Sequence, residues 1–135
     1  MRITQYDDRV LFEYEEHAGR REILFGERWR EASEHNRFGQ HVAYYEGNEL
    51  IIESSHLLDN LANGGGNALS DQTTTIERYR RVDDSDIGPM IEMSMEITDP
   101  SHLTDTWNIK WLKIFTADGL DFVEVDCKLP LEPIQ

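Results

Sequence analysis

The chain has 135 residues, 39% hydrophobic and 30% charged, enough to bury one apolar core as one domain over 1–135. Its formal net charge of -14, from 27 acidic against 13 basic residues, argues against a nucleic-acid backbone or an anionic membrane surface as partner. A single cysteine, Cys127, excludes an intramolecular disulfide and a zinc site built on paired cysteines.

In chain order, "MRITQYDDRVLFEYEE" reads as a hairpin turning at Asp7-Asp8. Its second half places Val10, Phe12 and Tyr14 on one face, with Leu11, Glu13 and Glu15 on the other. After a turn at Ala18-Gly19, the polar segment Gly26 to Gly39 reads as a loop or short helix anchored by Trp29 and Phe38. "AYYEGNELIIESSH", Ala43 to His56, reads as strand, Gly47-Asn48 turn, strand. Leu57 to Asp71 holds Gly64-Gly65-Gly66 and reads as a flexible loop. "TTTIERYRRV", from Thr73, is β-branched and then alternates. Beyond a turn over Asp83 to Gly88, "MIEMSMEI" sets Ile91, Met93, Met95 and Ile97 against Glu92, Ser94 and Glu96. "WNIKWLKIF" aligns Trp107, Ile109, Trp111 and Phe115, and "LDFVEVDC" alternates again after Ala117-Asp118-Gly119.

The period is two throughout, so the fold expected is all-β. About nine strands in a meander need their edges protected, and closure into a single antiparallel barrel of about eight to ten strands does so. Such a barrel holds one small ligand. The two long loops, Gly26 to Gly39 and Leu57 to Asp71, are expected at one end, over its mouth.

Several stretches resemble, in order, the motifs of a bacterial lipocalin-like (calycin-type) β-barrel family, many of whose members are exported. They are "YEGNELIIES" (Tyr45 to Ser54), Ser70-Asp71, "IERYRRVD" (Ile76 to Asp83), "TDP" (Thr98 to Pro100), Trp107 and "VEVDC" (Val123 to Cys127). The opening "RITQYDDRVLFEYE" resembles that family's first hairpin. Tyr45 stands where the family has Trp, His56-Leu57 where it has Asn-Phe, Leu69 where it has His, and Lys128-Leu129 where it has His-Glu. The resemblance implies the barrel and carries no activity with it.

The expected function is a small-molecule pocket for an apolar or amphipathic metabolite. Two versions stand: a metal-free acid-base enzyme of isomerase, cyclase, hydratase or lyase type, or a carrier without catalysis. Glu53, inside an apolar strand, is a candidate general acid or base if its face lines the cavity, because desolvation would raise its pKa. The alternative is an outward, solvated glutamate. His56 and Asp71 bracket the glycine-rich loop, whose ends can meet to give a histidine held by a carboxylate. The alternative is a surface histidine, and His41 is a similar candidate. Tyr14, Tyr45, Glu77, Tyr79, Met93, Met95, Trp107 and Trp111 are the candidate wall, or else plain core with Glu77 in a structural ion pair.

No metal and no cofactor is expected: His17, His35, His41, His56 and His102 show no ligand spacing. Cys127 reads as packing. No transmembrane stretch or signal-peptide pattern stands out, so a cytoplasmic location is expected, with the mature form of an exported protein left open. A homodimer also stays open.

Overall fold

A computed structural model describes residues 1–15, 19–26, 34–61 and 68–114 of the chain. Its ten strands are β1 (Arg2–Gln5), β2 (Arg9–Tyr14), β3 (Gly19–Leu24), β4 (Gln40–Glu46), β5 (Glu49–Ser55), β6 (Asn60–Leu61), β7 (Ala68–Leu69), β8 (Thr74–Asp84), β9 (Gly88–Thr98) and β10 (Trp107–Ile114). The all-β expectation holds for these residues, and none of them forms a helix long and apolar enough to cross a membrane.

The strands form two antiparallel sheets. One runs β1-β2-β3 and the other β10-β9-β8-β5-β4; β6 and β7 add a two-residue ladder. Local chemistry explains the hairpins. Gly47, at φ +61°, takes the first central position of the β4–β5 turn, where a type II′ hairpin needs a positive φ. At the β8–β9 turn the Asp84 carboxylate accepts the amides of Asp86 (2.8 Å) and Ile87 (3.0 Å).

The inner faces follow from register. Phe12 of β2 pairs with Arg21 of β3, Ile52 of β5 with Glu77 of β8, and Tyr79 of β8 with Met93 of β9. Val10, Phe12, Ile23, Ala43, Leu50, Ile52, Tyr79 and Met93 pack into one apolar core spanning both sheets. Full burial of each large aliphatic or aromatic side chain there contributes about 1.5–3 kcal/mol. The opposite face of the larger sheet carries ion pairs alongside the buried Val42 and Ile51. Arg78 lies between Glu46 and Glu96, and Arg80 between Glu49 and Glu92, at 3.0–3.9 Å. Such exposed pairs contribute little each but keep an acidic face solvated.

The expected single closed barrel is not what the described strands form. Among the described residues β1 pairs only with β2, and β10 only with β9. The smaller sheet meets the larger one through a parallel contact. Phe25 bridges to Ala43 in parallel, and the Gly26 amide donates to the Ala43 carbonyl at 2.9 Å. Parallel neighbours need a crossover rather than a hairpin. The Gly26–Gly39 connection therefore starts beside Ala43, midway along β4, and ends with Asn36 beside Leu57 and Gly39 beside Ser55, at the end of β5. Leu57–Asp71 leaves from that end and re-enters there, where Ser54 pairs with Thr75. Strand direction leaves no trace in a period-two pattern, which is why the antiparallel expectation failed at this seam.

Near β4 the crossover is pinned to the end of β5. Asn36 bridges in parallel to Leu57, and its side chain accepts the amides of Phe38 and Gly39 at 3.0 and 2.9 Å. Gly39 sits at φ +73°, and a Cβ there would collide with the Ser55 carbonyl. Trp29, Gly64 to Gly66, Phe115, the "LDFVEVDC" strand and Cys127 lie outside the described residues.

Candidate functional site

One end of the interior is polar. Arg21 occupies a position that alternation assigns to the core: in "GRREIL" it shares the inner face with Ile23. It is 8% exposed and forms an ion pair with Glu77, 3% exposed, at 2.7 Å between Nη2 and Oε1. The Tyr79 hydroxyl donates to the other carboxylate oxygen at 2.6 Å, a short charge-assisted bond. From the other side Arg21 Nη2 donates to Ser54 Oγ at 2.9 Å, and Nε donates to His41 Nε2 at 3.3 Å. Nη2 also lies 3.0 Å from His41 Nδ1, which is 2.9 Å from Ser54 Oγ; the tautomer of the ring sets which of its nitrogens accepts from Arg21. The Phe12 ring lies beneath the guanidinium, 6.0 Å from its carbon. His41 and Ser54 face each other because β4 and β5 pair them directly.

The electrostatics follow from burial and from one cation. Burial, helped by the positive charge of Arg21, pushes His41 down to about 3, so the ring is neutral at pH 7. Burial opposes the charge on Arg21, but the adjacent Glu77 carboxylate more than offsets it and its pKa rises. Burial and the Glu77 charge push Tyr79 far above the ordinary phenol value. Tyr14, also on the inner face, is raised chiefly by burial, while the nearby Arg21 pulls the other way. Both phenols are hydrogen-bond donors at any ordinary pH.

The structure brings four of the sequence-selected residues into this cluster: Glu77, Tyr79, Tyr14 and His41. Met93 is buried beside them, and Met95 packs half-buried against the same core. Trp107 is half-buried and Trp111 is 40% exposed on β10, at the edge of the larger sheet. Tyr45 is 48% exposed. Its ring packs 5.7 Å from Phe25, and its hydroxyl donates to Gln5 at 3.0 Å.

Glu53 lies on the face opposite the core, where it accepts from the Tyr44 hydroxyl at 2.7 Å. His56 sits at φ +56°, with Nδ1 2.8 Å from Ser55 Oγ and its ring 5.2 Å from that of His35. Asp71 is exposed, and among the described residues no hydrogen bond or ion pair joins it to His56. The carboxylate that clamps this region is Asp99 instead. Its oxygens accept from the Ser70 amide (2.6 Å), Ser70 Oγ (2.8 Å) and the Ser101 amide (2.8 Å), with His102 Nδ1 at 3.1 Å. Burial would raise this carboxyl, but the Ser70, Ser101 and His102 bonds outweigh it and hold the pKa well below the usual carboxylate range. Asp99 thus ties the approach to β8 to the end of β9.

Sequence reasoning missed Arg21, Ser54 and Asp99. The available signal for Arg21 was a charge in phase with Ile23 on an alternating strand. For Asp99 it was the aspartate of the "TDP" motif. Among the described residues no group of three or more His, Cys, Asp or Glu could hold a metal ion. Comparisons of the chain with known protein families, curated proteins and solved structures return no match.

Proposed function

We propose that this chain is a lipocalin-like small-molecule-binding protein that takes an apolar or amphipathic ligand between its two sheets. The observation that carries this reading is the Arg21–Glu77–Tyr79 cluster set into an apolar interior. Arg21 and Glu77 are buried, while Tyr14 and His41 at the same end are only half-buried, which supports an approach from that side. A few convergent polar groups on an apolar wall orient a ligand. The barrel-type enclosure, and kinship with the lipocalin-like family, belong to the same proposal.

Binding without chemistry is the version the geometry favours. An acid-base enzyme needs a base free to take a proton near pH 7. His41, held to about 3, is a poor base, and the Glu77 oxygens are engaged by Arg21 and Tyr79. Titration with the neutral dye Nile red tests the reading. Saturable, one-site enhancement of its emission, displaced by straight-chain apolar compounds, is expected. A folded protein that gives no saturable signal refutes it.

A further inference from the structure

His35, on the crossover, and His56, just beyond β5, are far apart in sequence, yet their ring centroids lie 5.2 Å apart with the planes inclined at 38°. Backbone bonds hold the two segments side by side. The Asn36 amide donates to the His56 carbonyl at 3.1 Å, and the Leu58 amide donates to the Asn36 carbonyl at 3.0 Å. His56 takes a left-handed φ of +56°, a conformation that few residues other than glycine adopt and that often accompanies a functional site. Its Nδ1 lies 2.8 Å from Ser55 Oγ. Among the described residues Nε2 of His56 and both ring nitrogens of His35 have no hydrogen-bond partner. His35 is exposed and His56 half-buried, so both rings are open to ions from solvent.

The spacing matches two imidazoles on one metal ion. Zinc binds an imidazole nitrogen at about 2.0–2.1 Å, and the ring centroid lies about 1 Å behind that nitrogen, so a tetrahedral angle at the ion puts the centroids about 5 Å apart. Ser55 Oγ at Nδ1 is the outer partner that orients a ligating histidine and leaves Nε2 as the ligand atom. The net charge of -14 favours the approach of a cation. No third His, Cys, Asp or Glu completes a metal-binding group among the described residues, so water would fill the other positions of an open site.

We propose that His35 and His56 bind a divalent metal ion of the imidazole-preferring class, zinc foremost, and that the ion fastens the crossover to the end of β5. Imidazole suits zinc, copper and nickel, whereas magnesium and calcium take oxygen ligands. The test titrates zinc chloride into the full chain at pH 7.5 by calorimetry, with and without excess magnesium. One saturable site, unaffected by magnesium, is expected. Loss of an outer partner alone costs about 10–100-fold in metal affinity, so loss of a ligand in His35→Gln or His56→Asn should weaken binding at least about tenfold. Asparagine tolerates the left-handed backbone at position 56. His102→Gln, which removes the imidazole beside Asp99, should bind zinc as the unmodified chain does. No saturable binding, binding that magnesium abolishes, or binding that His35→Gln leaves unchanged overturns the proposal. His35 is exposed, so its variant decides the matter even where His56→Asn does not fold.

Discussion

Glu77→Leu and Arg21→Met, made singly and together, probe the interior pair. Each single change strands the opposite charge in a site that is at most 8% exposed. A stranded buried charge costs about 3–5 kcal/mol. With a urea slope of about 2 kcal/mol per M, either single variant should lose about 2 M from its unfolding midpoint. The double variant removes both charges and both desolvation costs. What remains is the Tyr79 hydroxyl, deprived of its 2.6 Å bond to Glu77, a loss of about 1–3 kcal/mol. The double variant should therefore unfold near or above the singles, far from their additive sum of about 6–10 kcal/mol. Adding Tyr79→Phe should recover part of the remainder. Urea unfolding followed by tryptophan emission and by circular dichroism measures the cycle. A double variant that loses the full sum of the singles would show that the two side chains do not compensate each other, and the description of the cluster as one coupled unit would fall.

His41 makes stability depend on pH. Its pKa drops from 6.5 in the unfolded chain to about 3 when folded, so the unfolded state binds more protons between those values and acid destabilises. From pH 6.5 to 5 the full effect would be about 2 kcal/mol, or about 1 kcal/mol after discounting for screening at a half-buried ring. His41→Gln should flatten this slope, and an unchanged slope between pH 7 and 5 would refute the assignment. At Asp99 the depressed carboxyl contributes stability that is complete above its unfolded pKa of about 3.9 and is lost as the pH falls through the lower folded value. Asp99→Asn keeps the shape but turns an amide donor toward Ser70 or Ser101, and should cost about 2–4 kcal/mol at pH 7 by urea unfolding. A loss below 0.5 kcal/mol, the range of an ordinary surface change, would show that Asp99 is not the clamp.

Much of the strand content was legible because side chains alternate wherever one face is buried. Ile91, Met93, Met95 and Ile97 do lie on one face of β9, and the Gly47-Asn48 turn sits where positive φ is needed. Alternation divides a strand into two faces without labelling which is inside. For β5 the label decided the fate of the candidate site: Leu50, Ile52 and Ser54 point in, so Glu53 points out. Packing between distant segments supplied the rest. Whether Arg21 meets Glu77, whether Asp99 rather than Asp71 supplies the clamping carboxylate, and whether β3 lies parallel or antiparallel to β4 all depend on how separately formed hairpins dock. Burying apolar area fixes that docking, and a buried charge then survives only where docking brings it a partner. Residue types and local periodicity therefore determined the strands and most of the turns. The tertiary structure alone decided which polar groups became an interior cluster.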